Sequence, residues 1–265
     1  MKASKIFALA AAAALALSMA SCSSSGKKIT SIDDLAGARI GVQLGTTGDQ
    51  YIAGDIADGV IPGATLEQYS SGIDAIQALK QNKVDAVVID NEPAKVFVQQ
   101  NSELTILETP YTDEDYAICL AKGNDELCGK FNGAIAELKA DGTLDAILDK
   151  YINKTEGASG YVTPEGTAYP NGKLVMATNA QFPPYEYLEN STIVGIDAEF
   201  AKAICDKLGY ELEISDMDFN SIIAAVQSGK ADFGAAGMTV DEDRLTSVDF
   251  TDSYAKGVQV VVVKK

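Results

Sequence analysis

The chain has 265 residues, with 38 acidic against 21 basic side chains and a net charge of −17. Its length suits one large or two medium domains, and so acidic a chain argues against a nucleic-acid partner, whose phosphates need clustered Lys and Arg. It contains no histidine, which excludes Ser–His–Asp and Cys–His catalysis and His-ligated zinc, and its four cysteines form no CxxC pair, so neither a metal nor a cofactor is expected.

In chain order, Lys2 and Lys5 precede an apolar run over 6–17 and then Ser18-Met19-Ala20-Ser21-Cys22. A basic start, a short apolar stretch and small residues before a cut describe a secretory signal peptide over 1–21. The run rises only about 18 Å as a helix, short of the ~30 Å of a bilayer core. The small residues before Cys22 resemble a bacterial lipobox, with Met19 where that pattern usually has Leu. Cys22 is then expected to carry a lipid and 22–30 to form the tether. Strands are predicted over 39–43, 85–90, 104–107, 116–122, 173–178, 211–215, 232–237 and 258–264. Helices are predicted over 73–81, 125–139, 143–151, 198–208 and 221–228. This alternation predicts βα units in mostly parallel sheets, with ligands beyond the carboxyl ends of the strands. Residues 153–172 are rich in Gly and Pro without apolar periodicity and read as a linker.

The chain repeats itself loosely. Residues 71–90 and 218–237 each give an apolar-faced helix, a Lys-x-Asp turn (Lys83 and Asp85; Lys230 and Asp232) and a buried strand. Two lobes of similar topology facing a shared cleft are expected.

Several residues offer chemistry at strand ends. Gly45-Thr46-Thr47-Gly48 joins a strand to a helix start, where backbone N–H groups and hydroxyls favour a carboxylate; a plain Thr-capped turn is the alternative. Arg244 follows Gly237-Met238-Thr239 and can grip a carboxylate through two parallel bonds; with Asp241, Glu242 and Asp243 around it, a surface ion pair is the alternative. Asp90 ends an apolar strand and can hold an ammonium; its alternative is a cap for the helix begun near Pro93. Phe182, Tyr185 and Phe219 stand in loops after strands, as ligand faces or as core. One guanidinium, one carboxylate, hydroxyl-bearing loops and aromatic faces suit a zwitterion, a free α-amino acid. Cys119, Cys128 and Cys205 read as free thiols, with a Cys119–Cys128 bridge left open.

ATNAQFPPYEY (177–187), GIDAEFAKAICDKLG (195–209), MDFNSIIAAVQSGKADFGAAGMTVDEDR (217–244) and VDFTDSY (248–254) resemble the first lobe of the bacterial extracellular polar amino-acid-binding proteins of ABC importers, solute-binding protein family 3. DLAGARIGVQLGTTGDQY (34–51) and VDAVVIDNEP (84–93) resemble the second lobe, and 116–152 resembles the family's C-terminal end. The order differs, as in a circular permutation with the usual termini joined by 153–172. The resemblance implies an α/β, two-lobed, periplasmic-binding-protein-like (type II) fold with two crossover hinge strands near 110–113 and 254–257. The second lobe would be 31–110 plus 256–265, and the first lobe 111–152 plus 173–255.

Carried over residue by residue, Arg244 would clamp the ligand carboxylate with Thr239, Thr47 and Thr46. Asp90 would hold the ammonium with the Gly237 carbonyl and Thr239, and Phe182 and Phe219 would pack on the side chain. Members that take basic amino acids commonly carry an acidic residue where Asn179 stands. Asn179 and Gln43, with Gln181, therefore point to an uncharged polar ligand, glutamine first. The implied partners are a free amino acid, an ABC permease and the membrane through the lipid alone. The implied protein is a monomer on the extracytoplasmic face. A cyclohexadienyl-dehydratase-like enzyme, with Glu186 or Glu92 as general acid, and a sensor acting through a membrane partner are the rivals. The Arg244–Asp90 clamp accounts for the site without catalysis.

Overall fold

The computed structural model describes residues 26–265; the expected signal peptide and Cys22 lie outside the described residues. From the amino end run β1 (Arg39–Gln43), α1 (Thr47–Ala57), β2 (Thr65–Tyr69), α2 (Gly72–Lys80), β3 (Ala86–Asp90), α3 (Asn91–Gln100), β4 (Leu104–Ile106) and β5 (Thr112–Tyr116). Next come β6 (Cys119–Ala121), α4 (Asp125–Ala140), α5 (Thr143–Leu148), β7 (Lys173–Thr178), β8 (Gln181–Phe182), β9 (Glu186–Glu189), β10 (Thr192–Val194) and α6 (Ile196–Lys207). Then follow β11 (Glu211–Asp216), α7 (Ile222–Gln227), β12 (Phe233–Gly234), α8 (Glu242–Leu245), β13 (Val248–Phe250) and finally β14 (Ala255–Lys264).

The strands make two principal sheets, and the chain is two-lobed. One sheet runs β2-β1-β3-β14-β4, with β5 also on β14; the other runs β11-β7-β12-β6-β13. β1, β2 and β3 pair in parallel, as do β11, β7 and β12, while β14 is antiparallel to its neighbours.

Every residue of β3 is buried, the mark of a parallel strand covered on both faces. Its alternate side chains divide between two cores. Val87 and Ile89 pack with Ile76 and Leu79 of α2 and Phe97 of α3. Ala86 and Val88 pack with Ile52 of α1 and Val261 and Val263 of β14. α2 forms because Ala75, Ile76, Ala78 and Leu79 make one buried stripe at helical spacing. The Ser71 hydroxyl caps it, accepting from Asp74 N at 3.1 Å. In the other lobe Phe131 and Ile135 of α4 and Phe200 and Ile204 of α6 cover one sheet face. Ile222 and Val226 of α7 cover the opposite face, with Ala177 and Cys119.

Three expectations need correction. The strand over 116–122 is two strands in different sheets, because the chain passes between the lobes at Ala117 and Ile118. The strand over 232–237 shortens to Phe233–Gly234, because the backbone turns into a left-handed conformation at Gly237, φ +52°. The linker over 153–172 runs against α6: Tyr161, Thr163 and Tyr169 donate to Asp206 at 3.0, 2.7 and 3.2 Å, and Tyr161 N donates to Glu199 at 2.9 Å. The helix expected over 143–151 ends at Leu148 and continues as a π-helical turn over Asp149–Asn153. Cys119, Cys128 and Cys205 are free thiols. Among the described residues no helix is long and apolar enough to cross a membrane.

Candidate functional site

The carboxyl ends of both sheets meet in one narrow, closed cleft. From the β1 lobe come Gln43 at the end of β1, the loop into α1, and Asp90 at the end of β3. From the β7 lobe come Asn179 after β7, Phe182 in β8, Phe219 after β11 and Gly237 to Thr239 after β12. Gln43, Thr46, Asp90, Asn179, Phe182 and Phe219 line the cavity with Glu186, Ala236 and Gly237. Half-buried Gln181, in β8, does not line it.

Arg244 is 5% exposed and is not a surface ion pair. Its Nη1 donates to Thr239 O at 2.8 Å and its Nη2 crosses the cleft to Gly45 O at 3.0 Å. Asp241 approaches Nε at 3.1 Å from within α8's own cap, and the guanidinium carbon stands 5.5 Å from the Phe219 ring centre. Burial lowers the Arg244 pKa, and the carboxylates of Asp241 and Glu114 oppose that shift.

Asp90 occupies the N-cap position of α3, yet its side chain makes no capping bond. Instead it accepts from the Tyr116 hydroxyl. It is 5% exposed, and burial, reinforced by Glu114, pushes its pKa up to about 7. Burial first and the Asp90 charge second push the Tyr116 phenol up as well.

The threonines divide. Thr46 is a cap, with its hydroxyl accepting from Asp49 N at 3.4 Å and donating to Gln43 O at 2.8 Å. Buried Thr47 accepts from Gln259 Nε2 at 3.3 Å. Thr239 donates from Oγ1 to Glu114 at 2.9 Å. Gly237 has to be glycine: φ is positive, and a Cβ there would fall 2.7 Å from the Phe182 ring. Its N–H donates to Asp197 at 2.7 Å. Phe182 in turn stacks on Tyr185, with ring centres 5.7 Å apart.

Gln43 and Asn179 meet across the cleft, Gln43 Nε2 donating to Asn179 Oδ1 at 3.0 Å. Each is also held from behind: Gly72 N donates to Gln43 Oε1 at 3.2 Å, and Asn179 Nδ2 donates to Met217 O at 2.9 Å. Seven of the ten residues expected at the site line this cavity; Arg244, Thr47 and Thr239 do not.

Four residues around it carry more than the sequence suggests. Glu186 is fully buried, and among the described residues no N–H group or hydroxyl donates to either of its carboxyl oxygens; its polar neighbour is the Asp197 carboxyl. Burial, with Asp197 beside it, raises its pKa well above the usual range and favours the protonated form. Asp197 also accepts from Tyr254 at 2.7 Å, and burial pushes it up to about 6. Glu114 and Gln259 form a second buried pair at 3.0 Å behind Thr47 and Thr239. Gln259 had a visible signal, a lone amide inside an apolar β run. Glu114 had none, because Asp113-Glu114-Asp115 reads as exposed. Glu92, the other nominated acid, pairs with Lys95 at 2.6 Å on α3.

The family model for bacterial extracellular solute-binding proteins, family 3, matches residues 66–154 and 174–265. The chain belongs to this family. Among family relatives, the arginine-binding extracellular protein ArtP of Bacillus subtilis is 47% identical over 93 residues, 35% of this chain and 36% of that protein. The glutamine-binding protein GlnH of the same organism is 29% identical over 130 residues, 49% and 46% of the two chains. The chain thus spans about a third to a half of the length of these curated relatives. Among solved structures, the arginine-bound domain 1 from TmArgBP is 36% identical over 36% of this chain and 82% of that one, with a TM-score of 0.31.

Proposed function

We propose that this family 3 chain binds a free L-amino acid between its lobes and delivers it to an ABC permease. The observation that carries the reading is the pairing of Arg244 and Asp90: a buried guanidinium and a buried carboxyl on opposite lobes of one cleft. A zwitterion needs both charges. Its carboxylate replaces the Gly45 and Thr239 carbonyls on the Arg244 fork, and its ammonium gives Asp90 the counter-charge that burial otherwise denies it. Contacts to both lobes favour the closed form.

Glutamine is the first choice of side chain. A carboxamide both donates and accepts, so it can enter between Asn179 Oδ1 and Gln43 Nε2 and satisfy both. Burial works against a charge on Glu186, which lessens its demand for a cation. A cationic side chain is the second reading, favoured by the buried Glu186 carboxyl in the cavity wall. The wider reading follows the resemblance. It takes the chain as an exported, monomeric binding protein lipid-anchored at Cys22. It also takes it as circularly permuted, with 31–116 plus 255–265 as one lobe and 117–152 plus 173–254 as the other; the boundaries expected at 110 and 256 move because β5 pairs with β14. The position of β14 inside the sheet of β1 to β4 supports this arrangement.

A thermal-melting screen over the twenty amino acids tests the function, since a ligand at a thousand times its Kd stabilises by about 4 kcal/mol. Glutamine should give the largest shift. A largest shift with arginine or lysine, abolished by Glu186→Gln, would select the second reading. No shift with any of them would reject both.

A further inference from the structure

At one end of the acidic chain several lysines stand together without an ion pair. Among the described residues, eight lysines lie beyond 4 Å of any carboxylate oxygen. Four of them, Lys27, Lys28, Lys264 and Lys265, line a single hollow. Their ammonium groups are held by neutral acceptors where they are held at all. Lys27 donates to Asp34 O at 2.6 Å, Lys264 to Lys80 O and Asn82 Oδ1 at 2.8 and 2.7 Å, and Lys265 to Ser102 O at 2.6 Å. The one acidic side chain in the hollow, Asp85, is already spoken for. It takes Arg39 at 2.8 Å and the Lys27 backbone N–H at 2.8 Å.

We propose that this lysine-lined hollow is the membrane-facing surface of the protein and docks on anionic phospholipid headgroups. The proposal rests on the anchoring of Cys22 under the proposed function. Cys22 precedes Gly26, at the edge of the hollow, by four residues, so its backbone lies within about 14 Å of that edge. A polybasic patch beside a lipid is the usual second contribution to stable anchoring. The rest of the chain, strongly negative, is repelled by an anionic surface, so only this end can face it.

The test uses the full chain with Cys22→Ser, sedimented with phosphatidylcholine vesicles and with mixed phosphatidylcholine–phosphatidylglycerol vesicles. Any contribution of the leader is common to every variant compared on one lipid. Binding should be stronger to the anionic vesicles and should weaken with salt. Each change among Lys27→Gln, Lys28→Gln, Lys264→Gln and Lys265→Gln should reduce the anionic preference by about fivefold. Lys139→Gln and Lys230→Gln, unpaired lysines elsewhere, should leave it unchanged, and unaltered melting should show that all variants are folded. Equal binding to both lipids, or equal losses from both sets of lysines, would overturn the proposal. Intact mass of the membrane-extracted wild-type protein reports separately on Cys22, so an unmodified cysteine would reject the anchor without bearing on the vesicle result.

Discussion

Asp90 is placed like a helix cap but behaves like a binding group, and its protonation gives the difference a measurable form. Its pKa rises from 3.8 to about 7 in the fold, and that of Asp197 to about 6. The folded chain therefore holds protons that the unfolded chain has released, and stability falls as pH rises from about 4 to about 7. Asp85, whose burial cost is outweighed by the bonds from Arg39, shifts the other way and acts below that window. Calorimetric melting of the unliganded protein should decline from pH 5 to pH 7, and Asp90→Asn should flatten the decline; a rise in both would contradict the assignment. Ligand binding works against the same proton. Affinity should increase through pH 7 with proton release, visible in titrations in buffers of different ionisation enthalpy. Asn179→Asp adds a carboxylate where Gln43 reaches across, so it should shift preference toward arginine and lysine in competition. At this scale the sequence showed residue types and strand-end positions. It named Glu186 only as a rival's general acid and did not show Glu114 at all, because burial of a carboxyl is decided by which distant segments cover it.

β5 and β14 are the two strands through which the chain passes between lobes, and they pair antiparallel from Ala255 with Tyr116 to Gln259 with Thr112. The Tyr116 ring packs closely against Gly257: a Cβ there would sit 2.3 Å from the phenol. Gly257→Ala should therefore displace the ring that bonds Asp90. It should cost about 1–3 kcal/mol in urea unfolding and weaken ligand binding as well. Loss of stability with unchanged affinity would mean that Tyr116 does not position Asp90. Elements with a strong apolar period were legible, such as α2, α4 and the valine run of β14. β2 was not, because as an edge strand it buries none of its five residues, and β8 to β10 form a small outlying sheet of short strands.

The two-lobed plan was readable from the repeated helix–turn–strand unit, but the way both ends of the chain share sheets was not a local property. β6 pairs with β12 and β13, and β14 pairs with β3, β4 and β5. A protease cut within 153–172 should therefore leave a nicked chain that migrates as one body in gel filtration, since each sheet keeps strands from both fragments. Two separating fragments would contradict the topology. The central claim, a zwitterion clamped between lobes, is tested most directly by calorimetric titration of glutamine into the wild-type chain and into Arg244→Ala. Loss of a buried, charge-assisted double bond costs about 2–5 kcal/mol, or roughly 30- to 4000-fold in affinity. The account predicts one-to-one binding by the wild type and a loss of that size in a variant that still melts cooperatively. Near-native affinity in the folded variant would contradict it.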